Sequence, residues 1–343
     1  MTPLHNRVNK EILKQRLADE PFNRTTLSFY RYVIIDKPQA FRDELYTQLD
    51  ELNCFGRIYV AREGINAQMS VPSENLKAFL ELLEKNVYLK NMPIKYAIED
   101  DGKSFYKLIV RLKNRILADG LDDNAYDVTH VGKHLTALEF HELAAKEETL
   151  VIDMRNRYES EIGHFENAVC PEADTFREEI QMVTEEFKDQ KDRKILLYCT
   201  GGIRCEKASA YFKHLGFSDV NQLHGGVIEY AQQIKKEGLQ SRYIGKNFVF
   251  DNRMCESIDH RVVGKCHQCG APADTHVNCA NDACHLLFIQ CARCAEKYDH
   301  CCSVECQQFI KLPVETQHAL RKERVFNGTI NGYKGLRERL SAI

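Results

Sequence analysis

Lys194-Ile-Leu-Leu-Tyr198 runs directly into Cys199-Thr-Gly-Gly-Ile-Arg204, and that loop runs directly into Cys205-Glu-Lys-Ala-Ser-Ala-Tyr-Phe-Lys-His-Leu-Gly216. A short unbroken apolar run reads as a strand buried on both faces. The segment beyond the loop places Ala208, Tyr211, Phe212 and Leu215 on one side at helical spacing and stops at Gly216, a natural left-handed cap. Strand, loop and helix are contiguous. Gly201 and Gly202 permit a tight curl that turns successive backbone N–H groups inward. Together with the helix N-terminus and Arg204, those groups favour an anion at Cys199, so its thiol should ionise more easily than a free one. A thiolate is what nucleophilic chemistry uses. Cys199 is therefore the candidate nucleophile, with Gly201, Gly202 and Arg204 as its anion-holding loop. Cys205, at the start of the helix, is placed either to resolve or support chemistry at Cys199 or simply to pack.

Outward from the loop, Leu150-Val-Ile-Asp153 and Val220 to Leu223 repeat the short apolar strand, separated by helical spacings. Residues 127–240 thus read as an α/β domain with a mainly parallel sheet. Residues 1–120 differ. Thr25 to Ile35 reads as a strand, and Pro38 opens an amphipathic helix through Phe41, Leu45, Leu49 and Leu52. Gly56–Ala61 and Ile65–Val71 flank an Arg62-Glu63-Gly64 turn, Ser73 to Val87 is helical, and Pro93–Ile98 and Phe105–Leu117 supply further strands. The order β-α-β-β-α-β suggests a ferredoxin-like (acylphosphatase-like) sandwich with helices on one face of an antiparallel sheet. In its last strand, period 2 puts Lys107, Arg111, Lys113 and Arg115 on one face. That face suits a phosphate backbone, and equally a solvated, edge-protecting surface.

Residues 241–343 read as a connector around Phe248-Val-Phe250 packed against one domain, then a cysteine-rich block and a basic tail with Arg321, Lys322, Arg324, Lys334, Arg337 and Arg339. Nine of the chain's 14 cysteines fall between Cys266 and Cys306, including two Cys-x2-Cys knuckles. Each knuckle offers two thiolates to a tetrahedral ion, so one or two structural zinc ions are expected. The preferred pairing joins Cys266 and Cys269 to Cys291 and Cys294, and Cys279 and Cys284 to Cys302 and Cys306. A sequential pairing fits the spacing as well, with His267, His276, His285 and His300 as substitute ligands and Cys301 without an assigned role.

Composition bounds the rest. At 343 residues and 43% hydrophobic content the chain can bury a core in two or three domains. A net charge of −3 means that any nucleic-acid contact must come from local basic patches. No apolar run approaches the roughly 18 residues of a membrane span, and the polar Met1-Thr-Pro-Leu-His-Asn start lacks a signal-peptide core. A cytoplasmic protein is expected, in which cysteines serve as ligands, catalysts or core residues rather than disulfides.

Cys-x-x-Gly-x-Arg after a buried strand resembles the active-site loop of rhodanese-like sulfurtransferases, whose loop cysteine carries sulfur as a persulfide. Val151-Ile-Asp-Met-Arg155, Tyr158-Glu159, Gly163 to Ala168 and His224-Gly-Gly226 resemble further segments of that family. Four residues separate Cys199 from Arg204, where cysteine phosphatases of similar design have five, so phosphatase chemistry fits less well. Asp153 and Arg155 read as an ion pair supporting the loop. The full order of segments resembles the tRNA uridine 5-hydroxylase family over nearly the whole chain. The resemblance rests on Arg57 to Gln68, Asp100 to Phe105, Cys199 to Ala208, Gly245 to Asp251 and Cys266 to Gly270. It implies oxygen-dependent 5-hydroxylation of wobble uridine 34 in tRNA, with an essential rhodanese-type cysteine and O2 as co-substrate. On residues alone, the competing reading is a persulfide sulfurtransferase acting in tRNA thiolation. There is no flavin or nicotinamide fingerprint and no facial triad for iron. The expected partner is the tRNA anticodon arm, held by the N-terminal sheet and the basic tail while the target base flips toward Cys199 and stacks on Tyr30, Tyr59 or Phe105. The sequence sets no oligomeric state.

Overall fold

The computed structural model describes residues 8–122, 126–321, 323–329 and 340. Helix α1 (Lys10–Ala18) buries Leu13 and Leu17 and leads into strand β1 (Arg24–Tyr32). Helix α2 (Pro38–Glu51) has proline in its first turn, where the missing N–H costs nothing, and buries Phe41, Leu45 and Leu49 at intervals of four. Strands β2 (Phe55–Ala61) and β3 (Gly64–Pro72) form a hairpin. Gly64 is required there: its φ is +144°, and a Cβ would lie 2.0 Å from the Arg31 carbonyl oxygen. Helix α3 (Leu76–Lys85) follows a single 3-10 turn at Ser73–Asn75, and β4 (Lys95–Tyr96) and β5 (Leu108–Leu112) complete the sheet, in the order β4-β1-β3-β2-β5.

Among the first four of these strands each is antiparallel to its neighbour, as a ferredoxin-like sandwich requires. Three details differ from the sequence reading, the first being that the strand expected over Pro93–Ile98 spans only β4. The strand expected over Phe105–Leu117 spans only β5, and β5 runs parallel to β2. Period 2 divides the sheet faces sharply. Leu27, Phe29, Ile58, Val60, Ile65, Ala67 and Met69 pack under α2 and α3, while Ser28, Tyr30, Arg57, Tyr59, Asn66 and Gln68 occupy the opposite face.

The second domain contains β6 (Lys133–Leu135), α4 (Ala137–Leu143), β7 (Leu150–Asp153), α5 (Arg157–Ser160), β8 (Gly163–Phe165), α6 (Phe176–Glu186), β9 (Ile195–Tyr198), α7 (Ile203–His214), β10 (Val220–Leu223) and α8 (Gly226–Lys236). Its sheet, β6-β10-β9-β7, is entirely parallel. Every residue of β7, β9 and β10 is buried, because apolar clusters cover both faces. Helix α7 ends as its sequence dictates, with Gly216 at φ +89°.

Strand β11 (Tyr243–Phe248) joins β8 on one side and β12 (Cys255–Ser257) on the other. The connector does not pack against one domain alone. Asn252 donates its N–H to the Ser104 carbonyl at 3.0 Å, and Glu256 accepts the N–H of Ile98 at 2.9 Å, so the segment ties both domains together. The cysteine-rich region contributes the hairpin β13 (His276–Asn278) and β14 (Leu287–Ile289), with short helices α9 (Ala292–Lys297), α10 (Val304–Ile310) and α11 (Val314–Leu320). Among the described residues no helix is long and apolar enough to cross a membrane.

Candidate active site

The polar face of the N-terminal sheet lies over the Cys199 loop, and a cavity of about 440 Å³ separates them. Both partners are fixed by buried charge. Lys207, on α7, reaches the two carboxylate oxygens of Glu63 at 3.3 and 3.0 Å, the Leu117 carbonyl at 3.0 Å and Asp119 at 3.0 Å. The Arg62-Glu63 turn is thereby clamped to the helix that begins at the nucleophile loop. Tyr30 extends the junction, its hydroxyl donating to Glu206 at 3.1 Å while Lys95 lies 4.6 Å from its ring centroid.

Cys199 is 0% exposed, yet it lines the cavity from below. Its Sγ accepts the Gly202 N–H at 3.1 Å, in a loop whose curl needs Gly202 at φ +99°. The His224-Gly-Gly226 turn supports that loop, since α8 directs the Val227 N–H to the Cys199 carbonyl at 3.0 Å and the Ile228 N–H to the Thr200 carbonyl at 3.2 Å. Gly226 admits no side chain, because a Cβ would lie 2.5 Å from the Cys199 carbonyl oxygen. Burial alone would raise the Cys199 pKa. Hydrogen bonding from the Cys205 thiol, the charge of Arg204 and the backbone N–H groups of Cys205 and Arg204 outweigh it and bring the thiol down to about 5.

Arg204 acts differently from the direct anion holder expected of it. Its guanidinium grips Glu159 through two bonds of 2.5 and 2.8 Å, and Thr200 donates to the same carboxylate at 3.3 Å. Arg204 therefore positions the loop and contributes charge to Cys199 at a remove. Cys205 is pushed well above the ordinary thiol range, first by burial and then by its hydrogen bond to Cys199 and that group's charge, so it stays a thiol and donates. Asp153 and Arg155 form a fully buried bidentate pair at 2.8 and 2.7 Å. Tyr198 donates to Asp153 at 2.7 Å and Arg155 donates to the Gly163 carbonyl at 2.7 Å, which makes the pair a strut between β7 and β8 outside the cavity.

Tyr30, Tyr59 and Phe105, expected to stack on a base, all line the cavity. The predicted Cys199, Gly201 and Arg204 line it too, but sequence reasoning missed other parts of the wall. Lys95 comes from the shortest strand, and Asp251, Arg253 and Glu256 come from the connector. Arg253 bonds Asp251 at 2.9 and 2.5 Å and Glu256 at 2.6 Å. Glu256 is 1% exposed, its second oxygen has no partner among the described residues, and burial raises its pKa. That this arginine and carboxyl, three residues apart, would be buried in a cavity wall has no signature in linear sequence.

The four expected cations do not share one surface. Arg111 and Lys113 flank Tyr59, with Lys113 5.2 Å from its ring, and Lys107 lies beside Tyr106. Arg115 falls beyond β5 and pairs with Asp119 at the domain junction, because the strand ends before it. In the tail, Arg321 donates to the Asp282 carbonyl and Arg324 lies over Phe309, whereas Lys322, Lys334, Arg337 and Arg339 fall outside the described residues.

The cysteines assemble into two sets that could each hold a metal ion, Cys266, Cys269, Cys291 and Cys294 in one, Cys279, Cys284, Cys302 and Cys306 in the other. The sets interleave along the chain. Within each set all sulfurs lie within 4.8 Å of one another, and neither includes a histidine. Cys301 is buried beside the second set without belonging to it.

A thiol brought down to about 5 should be almost fully ionised at pH 7. Alkylation of Cys199 by iodoacetamide is therefore expected to rise through about pH 5 and to level off before pH 7. A free thiol, with its pKa of about 8.5, would still be accelerating there. Peptide mass spectrometry of the alkylated protein across pH 4–9 checks this, and a rate still climbing steeply above pH 8 would contradict it.

Residues 24–116 match the UPF0176 acylphosphatase like domain, residues 136–233 the rhodanese-like domain and residues 244–307 the rhodanase C-terminal model. A protein of Leptospira interrogans called tRNA uridine(34) hydroxylase is 53% identical over 341 residues, spanning 99% of this chain and 93% of that one. One of the same name from Pectobacterium atrosepticum is 51% identical over 339 residues, spanning 98% of this chain and 95% of that one.

Proposed function

The chain belongs to the tRNA uridine(34) hydroxylase family, and from that premise we propose that it hydroxylates uridine 34 at C5 within the tRNA anticodon arm, using O2 and Cys199. The observation that carries this reading is the Cys199 loop, which accepts the Gly202 N–H on sulfur, beneath a cavity of about 440 Å³ walled by Tyr30, Tyr59 and Phe105. A base flipped out of the anticodon loop finds aromatic faces for stacking there and polar groups such as Asn66 and Gln68 for its edges.

In this scheme the Cys199 thiolate adds to C6 of the uracil ring. The C5–C6 π pair shifts to give an enolate whose electron-rich carbon is C5. One atom of O2 ends on C5 and the other leaves as water, with two electrons supplied by an external thiol reductant. Loss of the C5 proton and of the thiolate from C6 restores the ring and the enzyme. Glu159, Arg204 and Gly202 hold Cys199 in place, and the Gly202 N–H receives the returning charge on sulfur. The reaction belongs in the cytosol, where tRNA and thiol reductants are found.

Each cysteine set is assigned one structural zinc ion. At a zinc–sulfur distance of about 2.3 Å, a tetrahedral site has sulfur–sulfur edges of roughly 3.8 Å. Cys269 and Cys291 are 3.6 Å apart, Cys284 and Cys302 3.6 Å, and Cys302 and Cys306 3.8 Å. Gly328 and Asn281 donate to the sulfurs of Cys284 and Cys306 at 3.2 and 3.3 Å, as donors around a thiolate site do. Four thiolates leave no open position, which suits a structural ion.

The test incubates purified protein with tRNA under isotopically heavy O2 and a thiol reductant, then digests the RNA for nucleoside mass spectrometry. One heavy oxygen in 5-hydroxyuridine is expected. A thionucleoside without hydroxyuridine would instead establish the sulfurtransferase, and an unlabelled hydroxyl would refute O2 as the source.

A further inference from the structure

Beside the catalytic cavity lies a second and larger one, about 800 Å³, between α1, the outer part of the N-terminal sheet, the connector and the β13–β14 hairpin. The two share Arg57, Phe105, Val249, Phe250 and Asp251 as a common wall. Lys10, Lys14, Lys103 and Lys107 ring the second cavity. Lys14 meets Glu11 only at 4.0 Å, and no carboxylate is paired with Lys10, Lys103 or Lys107 among the described residues. The one acidic residue in its lining, Asp251, is already neutralised by Arg253. In a chain of net charge −3, this is a local concentration of unspent positive charge.

The interior of the cavity makes a different demand. His276 is 4% exposed, packs edge-on against Phe248 at 5.1 Å, and has no hydrogen-bond partner for either ring nitrogen among the described residues. Burial keeps its imidazole neutral, so it offers one donor and one acceptor, which suits a base or a ribose hydroxyl better than a phosphate. Buried polar groups in native proteins are normally satisfied, and one left open at a cavity points to a ligand.

We propose that this second cavity binds a nucleotide immediately flanking the target uridine, its phosphate held by the rim lysines and its base or ribose lodged toward His276. The inference rests on the tRNA-modifying reading above. It explains why the two cavities share a wall: an RNA strand whose target base enters one must place a neighbour within reach of the other. It also moves the main backbone contact from the β5 face to the cleft between α1 and the hairpin.

The test uses a K14Q/K103Q double variant, both lysines being exposed, and Asn278→Trp, which narrows the cleft from its exposed rim on β13. With an anticodon stem-loop as substrate, KM should rise at least tenfold in each variant while kcat stays within twofold. The double variant should flatten the salt dependence of binding by about 0.7 in logarithmic slope per lysine removed. Wild-type protein should also bind at least fivefold more weakly to a stem-loop made abasic at position 33 or at position 35, and whichever loss is seen names the lodged nucleotide. Wild-type KM and salt slope in both variants, with hydroxyuridine still formed by the unmodified enzyme, would overturn the proposal and leave the hydroxylase reading intact. Absence of hydroxyuridine from wild-type protein would count against that reading instead, and the binding measurements would still decide the cleft.

Discussion

Cys199→Ser should abolish 5-hydroxyuridine formation, with kcat/KM falling by a factor on the order of 10⁴ or more, as loss of a covalent nucleophile does. The substitution is nearly isosteric in a buried loop, and the Gly202 N–H that meets sulfur at 3.1 Å can meet a hydroxyl oxygen equally well. Folding should be unchanged. What disappears is the anion: the surroundings that bring a thiol down to about 5 cannot bring an alcohol anywhere near neutrality. Cys205→Ser is the matched control. It keeps a donor next to Cys199 and should lose less than about tenfold, since this group contributes one neutral hydrogen bond. Nucleoside mass spectrometry of tRNA treated with each variant reads both outcomes, and wild-type product from Cys199→Ser would eliminate the cysteine from the chemistry.

Removal of metal should collapse the C-terminal region while sparing the two larger domains. The second cysteine set shares its core with only a few large apolar side chains, Leu286, Phe288, Phe309 and Phe326 among them, and the hairpin beside it has strands of three residues each. So small a core does not stand without a staple. Structural zinc supplies apparent binding energies of about 10–16 kcal/mol near pH 7, which far exceeds what that core contributes. Purified protein should contain two zinc ions per chain. After chelation under reducing conditions, amide hydrogen exchange should lose protection across residues 266–309 and keep it in β7, β9 and β10. Unchanged protection in metal-free protein would show that the thiols merely pack. Because Val277 and Leu287 of the hairpin line the second cavity, the stripped enzyme should also bind RNA poorly.

The nucleophile loop was legible because all its determinants are local. A buried strand, two glycines and a capped helix follow one another without interruption, and Gly202 and Gly216 adopt the positive φ values their positions call for. Illegible features depend on contacts between distant segments. Glu159 stood in plain view beside Tyr158, but nothing local showed that it would capture both arms of Arg204 across 45 positions. Periodicity carried past Leu112 without a break, so Arg115 was credited to the wrong surface when Asp119, which also pairs with Lys207, in fact draws it into the domain junction. Spacing also left the cysteine pairing open, since adjacent and alternate knuckles reach equally far. The connector was the largest omission. Its Phe248-Val-Phe250 run signalled burial, not that the same segment would build a wall of both cavities.

The alternation of the two cysteine sets carries a consequence for the order in which the protein is made. Cys279 and Cys284 leave the ribosome before Cys291 and Cys294 have closed the set begun by Cys266 and Cys269, so both half-built sites coexist on the nascent chain. The first set is complete in sequence once Cys294 is made, whereas the second waits for Cys302 and Cys306. By then the parallel sheet and the Cys199 loop have long been translated. Each new molecule thus passes through a stage that owns the Cys199 loop but not yet the outer wall of the second cavity, and that stage ends only when the β13–β14 hairpin has folded against the connector.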